Sequence, residues 1–269
     1  MEVGAGRPGA LRKLADAGNA DAQVTIGTLQ IFGMAGFARD GRKGCAYIER
    51  ASATRADALH LLAECYQHGY AGRPDPEMAK LTFARAADMG YLKSKCALGN
   101  MLMAEGREAT RGLQLCEDAA NGGSPDAQAD VGNVYLEGRL VPKDAAKAAH
   151  WYGLAVAQQQ PQAARTLGMM RLNGEGVPQD ESEGLRLLRL AIKFGDPHAA
   201  TVIADRQFAR VMGENFVVGD PARLNLIDET IGWYRVAISR DDRPEAQEAH
   251  KAKIAVLEGA RKLAAGTAK

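Results

Sequence analysis

The stretch Asp126–Ala191, DAQADVGNVYLEGRLVPKDAAKAAHWYGLAVAQQQPQAARTLGMMRLNGEGVPQDESEGLRLLRLA, holds one module written twice. Ala127, Val131, Gly132, Gly138, Val141, Pro142, Asp144, Ala148, Tyr152 and Ala155 of the first copy are answered 36 residues later. The answering residues are Ala163, Leu167, Gly168, Gly174, Val177, Pro178, Asp180, Gly184, Leu188 and Ala191. Self-similarity at this period marks a stack of helical hairpins, which is read by columns and not by a single site.

Extending the register outward gives a small residue at the middle of each first helix: Gly27, Ala63, Gly99, Gly132, Gly168 and Ala204, at intervals of 36, 36, 33, 36 and 36 residues. The residue before each is apolar (Ile26, Leu62, Leu98, Val131, Leu167, Ile203), and five positions before each stands Ala22, Ala58, Ser94, Ala127, Ala163 or Ala199. A small column beside an apolar column is what close helix packing demands. Leu167→Ala should then cost ~2–5 kcal/mol if its column is fully buried. Second helices centre on Ala51, Ala86, Ala119, Ala155, Ala191 and Ala237.

Between the helices, Gly69, Gly138 and Gly174 suit a left-handed helix end, and Asp75, Asp144, Asp180 and Asp220 suit an N-cap. Pro76 and Pro221 follow at the first helical position, and Asp180 with Glu183 has the spacing of a capping box. Ser124–Pro125 and Asp196–Pro197 punctuate the joins between modules. The fold class expected is all-α, a solenoid of about six helix-turn-helix repeats over residues 19–54, 55–90, 91–123, 124–159, 160–195 and 196–240. A partial cap helix (1–18) precedes it. A helix over 241–265 closes it with a stripe of Ala246, Ala249, Ile254, Leu257, Ala260 and Ala264, and Gly266–Lys269 are expected to fray.

The chain of 269 residues is 46% hydrophobic and 25% charged, with 34 basic and 33 acidic side chains. A net charge of +1 supplies no field for nucleic acid or membrane. No signal-peptide core and no membrane-length apolar run is present, so the expected location is cytoplasmic. Cys45, Cys65, Cys96 and Cys116 lack the spacing of a zinc module and read as small buried hydrophobes in a reducing compartment.

The GxGVxxD loop of Gly174, Gly176, Val177 and Asp180, and the Ala148, Trp151, Tyr152 and Ala155 pattern of a second helix, resemble the Sel-one-like repeat family of the tetratricopeptide superfamily. The resemblance covers roughly residues 19–240. It implies a right-handed superhelix of antiparallel helix pairs that serves as an adaptor for other proteins without catalysis. Cysteine-rich relatives staple each repeat with a disulfide. The four cysteines here do not occupy corresponding places, so that subgroup is not expected.

In that superfamily the first helices line the concave face. Columns at minus 6, minus 3, plus 1 and plus 5 from each anchor share one helical face. They supply the expected partner-binding residues Asp57, His60, Glu64, His68, Lys93, Asn100, Asp126, Asn133, Glu137, Arg165, Asn173 and Asp205. With Asp21 counted, the stripe has six acids and two bases, so the expected partner is a protein or peptide of basic character. His60, Glu64 and His68 lie at i, i+4 and i+8, but without a third ligand or an HExxH signature no metal is assigned. No Gly-x-Ser-x-Gly elbow, phosphate-binding loop or dinucleotide fingerprint occurs, and no cofactor or catalytic residue is expected. Trp151, Tyr152, Trp233 and Tyr234 read as second-helix core. The expected function is a non-catalytic interaction scaffold. An inhibitor or immunity protein that blocks one enzyme or toxin is the alternative, and a hydrolase comes last.

Overall fold

The computed structural model describes residues 8–213 and 220–266; the expectations for residues 1–7, for part of the sixth-repeat insertion and for 267–269 lie outside them. Fourteen helices and no strand occur among the described residues. The chain divides into two compact units, residues 1–131 and 132–269, with the division inside helix α8.

The first unit carries α1 (Pro8–Asp16), then the hairpins α2 (Ala20–Phe32) with α3 (Gly41–Ala51), α4 (Ala56–His68) with α5 (Pro76–Asp88), and α6 (Leu92–Glu105) with α7 (Ala109–Asn121). Each second helix packs on the next first helix, α3 on α4 and α5 on α6. Helix α8 spans Pro125–Glu137. The second unit continues with α9 (Ala145–Ala157), α10 (Pro161–Asn173) paired with α11 (Glu181–Phe194), and α12 (Ala199–Gly213) paired with α13 (Pro221–Arg240), and it ends on α14 (Pro244–Ala264), which lies against α13. Among the described residues no helix is long and apolar enough to cross a membrane.

What brings the two helices of a hairpin together is a pair of small residues facing each other. A Cβ built on Gly44 would stand 2.6 Å from the Gly27 carbonyl oxygen, and one on Gly27 would stand 2.8 Å from that of Gly44. Gly99 and Gly112 block each other in the same way, and Gly168 and Gly184 sit at 3.0 Å. In the second hairpin Ala63 and Ala79 take these places, both fully buried. The sixth hairpin departs, because Thr230 stands in the second-helix column, fully buried, its hydroxyl donating to the Leu226 carbonyl at 2.6 Å.

The loops repeat one set of bonds. Gly69 and Gly174 end their helices at φ of 64° and 72°, a region glycine enters without penalty. The carboxylates of Asp40, Asp75, Asp144 and Asp180 then accept from the N–H of Lys43, Met78, Lys147 and Glu183 at 2.9–3.0 Å. The N–H of each same aspartate turns back to the preceding helix, onto the carbonyls of Gln30, Tyr66, Tyr135 and Arg171. That return bond corrects the capping-box expectation. The Asp180 N–H is already taken, so Glu183 forks instead onto Arg186 at 2.6 and 2.7 Å.

Other expectations shift with burial. Ile26, Val131 and Ile203 are fully buried, but Leu167 and Leu98 are only half-buried, so Leu167→Ala removes less than a core residue would. Tyr152 and Tyr234 are fully buried, whereas Trp151 and Trp233 are half-exposed. On α14, Ala249 faces solvent and His250 takes the inner position, 3.4 Å from the Thr201 hydroxyl and with its ring 5.5 Å from that of Tyr234.

The cysteines require the largest correction. All four are bonded, Cys45 to Cys65 and Cys96 to Cys116, with no free cysteine among the described residues. They are buried as expected, yet they are not a reduced set. Column comparison hid this, because bonded residues must face each other and therefore occupy different columns. Nor do the two bridges match: one joins α3 of the first hairpin to α4 of the second, while the other closes the α6–α7 hairpin on itself.

Two substitutions separate close approach from helix propensity. Gly44→Ala is expected to cost about 1–3 kcal/mol by overpacking. Gly153→Ala on α9, where a Cβ meets nothing within 4 Å, should instead stabilise by roughly 0.5–1 kcal/mol. Urea denaturation followed by circular dichroism reads both, and equal midpoints for the two variants would refute the packing argument. Leu188→Ala, at a site with no exposed surface, should cost ~2–5 kcal/mol in the same assay.

Candidate functional site

In the first unit, five of the stripe residues converge. His60 and Glu64 on α4, Lys93 and Asn100 on α6 and Asp126 on α8 line one hollow of about 190 Å³ together with Cys96, Ala97, Ala127 and Asp130. The α4–α6–α8 succession aligns these columns, since each first helix restarts at the same point of the repeat.

Most polar groups in the hollow also tie one first helix to the next. His60 Nδ1 shares a 2.9 Å hydrogen bond with Ser94 Oγ, and its Nε2 lies 3.5 Å from Glu64. The His60 ring also packs on Phe83 and Tyr91, with centroids 5.3 and 5.2 Å away. Lys93 Nζ meets Asp126 at 2.7 Å, and this carboxylate raises the Lys93 pKa. Asn100 Nδ2 donates to Asp130 Oδ2 at 2.8 Å.

Asp130 is the residue that sequence reading missed. Its carboxylate has the Asn100 amide and lies 3.5 Å from Cys96 Sγ. Burial pushes its pKa up, the Asn100 hydrogen bond opposes that shift, and the nearby Asp126 carboxylate adds to it. A signal was present in the columns. The position two before each anchor reads Thr25, Leu61, Ala97, Asp130, Thr166 and Val202, so Asp130 is the only charge in a neutral column.

The other expected residues fall elsewhere. Asp57 is held by the Arg55 guanidinium at 2.6 and 2.9 Å, which lowers its pKa; Arg55 also pairs with Asp21. His68 lies against the Tyr70 ring at 5.3 Å, away from His60, so the i, i+4, i+8 spacing does not gather three ligands. Among the described residues no group of three or more His, Cys, Asp or Glu could hold a metal ion.

In the second unit, the stripe residues serve as struts. Asn133 accepts from the Tyr152 hydroxyl at 2.7 Å, Glu137 pairs with Arg139 at 3.2 Å, and Arg165 pairs with the buried Asp196 at 3.0 Å. Asp196 also caps α12, accepting from the N–H groups of His198 and Ala199. Asp205 accepts from Tyr234 at 2.6 Å and from Lys253 of α14 at 2.7 Å. Burial first, and then that Asp205 bond, hold the Tyr234 phenol far above its usual pKa. Asn173 ends α10, exposed and with no role in a hollow.

Residues 56–91, 125–159 and 161–196 each match the Sel1 repeat. The chain carries three Sel1 repeats. The remaining hairpins, α2–α3, α6–α7 and α12–α13, share the architecture while departing in sequence.

Solved structures with the same fold include a Sel1 repeat protein from Oxalobacter formigenes, 22% identical, with a TM-score of 0.62 over 88% of this chain and 90% of that one. A second is c5321, a protective antigen of uropathogenic Escherichia coli displaying an SLR fold, 20% identical, with a TM-score of 0.58 over 95% and 66%. A third is immunity protein Pa5087 of Pseudomonas aeruginosa, 19% identical, with a TM-score of 0.55 over 89% and 82%. No curated protein matches the chain.

The raised pKa of Asp130 has a defined sign in stability. A carboxyl whose folded pKa lies above its unfolded value disfavours the fold when ionised, and that loss is relieved as pH falls through the folded pKa. Asp130→Asn is therefore expected to raise the melting temperature at pH 7.5, with the gain shrinking toward pH 4. Calorimetry of both proteins across that range is the measurement, and a variant less stable at pH 7.5 would contradict the desolvation argument.

Proposed function

We propose that this Sel1-like repeat protein is a non-catalytic interaction module, and that its first unit holds a basic segment of a partner protein in the hollow between α4, α6 and α8. The observation that carries this reading is the charge inside the hollow. Glu64, Asp126 and Asp130 supply three carboxylates, and Lys93 is spent on Asp126. A lysine or arginine side chain of a partner would offset the surplus, and the neighbouring Tyr91 ring offers apolar contact to its stem. A hollow of about 190 Å³ suits one side chain better than a whole substrate, whose pockets run to roughly 300–1,000 Å³. The near-zero net charge gives no support to nucleic acid or membrane as partner.

The cysteines bear on the compartment. Two disulfides favour an oxidising compartment over the cytoplasm expected from sequence.

A second reading, an inhibitor that blocks one enzyme or toxin, draws on the fold shared with proteins named as immunity proteins from Pseudomonas aeruginosa. It uses the same interaction face and differs in what binding does to the partner.

The test is affinity capture from the native source, followed by titration of the captured protein against wild type and the double variant Glu64→Gln, Asp130→Asn. A loss of tenfold or more in affinity, about 1.4 kcal/mol, and weakening by salt are expected. Unchanged affinity in the double variant would remove the hollow as the binding site. Loss of a partner's enzymatic activity on stoichiometric binding would select the inhibitor reading.

A further inference from the structure

The two disulfides stand in different surroundings. Cys45 and Cys65 both line an open cavity of about 460 Å³, together with Arg42, Arg73, Glu49 and Asp75 and an apolar wall that includes Leu62 and Tyr66. Its two guanidinium groups balance its two carboxylates, so no net negative charge faces an entering thiolate. Of the other pair, Cys116 has no exposed surface and Cys96 lines the smaller hollow of about 190 Å³. There the Asp130 carboxylate lies 3.5 Å from Cys96 Sγ, with Glu64 and Asp126 lining the same space.

Thiol–disulfide exchange proceeds by attack of a thiolate on one sulfur and departure of the other as a second thiolate, so negative charge enters and develops at the site. A carboxylate in contact repels both species, whereas a cavity with guanidinium groups admits them. We infer that Cys45–Cys65 is an exchange-active disulfide open to small thiols and dithiols, and that Cys96–Cys116 is an inert structural staple. In the first step, a thiolate bonds to the sulfur of Cys45 or Cys65 and the S–S bond breaks. The displaced cysteine leaves as a thiolate and takes a proton. A second thiol, or the second arm of a dithiol, attacks the mixed disulfide and frees the remaining cysteine. The protein disulfide gains two electrons, and the two attacking thiols lose them as they form their own disulfide.

The bond opened is the one that couples two repeats, joining α3 to α4 amid Ile31, Ile48 and Leu62. Its reduction loosens the seam between the first and second hairpins, while the apolar cluster still holds them in contact. The α6–α7 hairpin, where Gly99 and Gly112 stand against each other, keeps its staple.

The experiment treats the oxidised full-length chain with a graded series of dithiothreitol, quenches with an alkylating reagent and identifies modified cysteines by peptide mass spectrometry. Labelling of Cys45 and Cys65 at a rate at least tenfold above that of Cys96 and Cys116 is expected. Asp130→Asn should speed release of Cys96–Cys116, and Arg42→Glu with Arg73→Glu should slow that of Cys45–Cys65, each variant first checked for native circular dichroism. Equal rates, the reverse order or free thiols before reductant is added would overturn the assignment. As an independent readout, limited proteolysis at the α3–α4 turn should accelerate after mild reduction, and an unchanged rate would overturn the coupling of the two hairpins.

Discussion

Close approach of two backbones at the facing glycines of three hairpins is the constraint on which the rest depends. Gly27 on Gly44, Gly99 on Gly112 and Gly168 on Gly184 leave no space for a methyl group, so the crossing point of the helices is fixed by what is absent from the side chains. Once that point is set, Ile48, Phe83, Tyr152, Leu188 and Tyr234 fall into the wedge beside it and are buried to 1% exposure or less. Glycine in a helix interior costs about 0.5–1 kcal/mol relative to alanine, and the interdigitation it permits offsets that. The half-buried Gly153, where an added Cβ meets nothing within 4 Å, shows that not every glycine in the array is there for packing.

The features legible in sequence are those that recur. Anchors, caps and loop glycines were readable because each hairpin solves the same local problem, so the answer was written several times. Features that arise between columns were not. A disulfide such as Cys45–Cys65 joins different columns, and Asp130 is visible only as an exception within one. His250 displaced Ala249 from the inner face of α14 because that helix has no repeat to be compared with, and its polar partners lie on α12 and α13. The half-burial of Leu167 has a similar origin: apolar identity marks the column, but depth depends on how far the neighbouring helices reach over it.

The candidate site was legible as a stripe and not as a site. Helical periodicity placed twelve polar residues on one face, yet it carried no information on which would spend their hydrogen bonds on the adjacent first helix. Asp205 is taken by Tyr234 and Lys253, Arg165 by Asp196 and Asn133 by Tyr152, so in the second unit the stripe holds the array together. Exposed ion pairs such as Lys93–Asp126 contribute on the order of 0–1 kcal/mol each, so their value lies in register more than in stability.

Binding capacity in such a protein is therefore what remains after the struts are counted. Lys253 on α14 satisfies Asp205 from within the chain, with its ammonium 5.5 Å over the Tyr234 ring as well. Glu64 meets a histidine and Asp130 an amide. The difference is one of valence: a full positive charge closes the account at Asp205, and neutral or weakly basic partners leave it open in the α4–α6–α8 hollow. On the proposed function, a cation from another molecule gains most where Lys93 is already engaged with Asp126, and burial of the Asp130 carboxylate makes that gain larger than it would be on an open helix face.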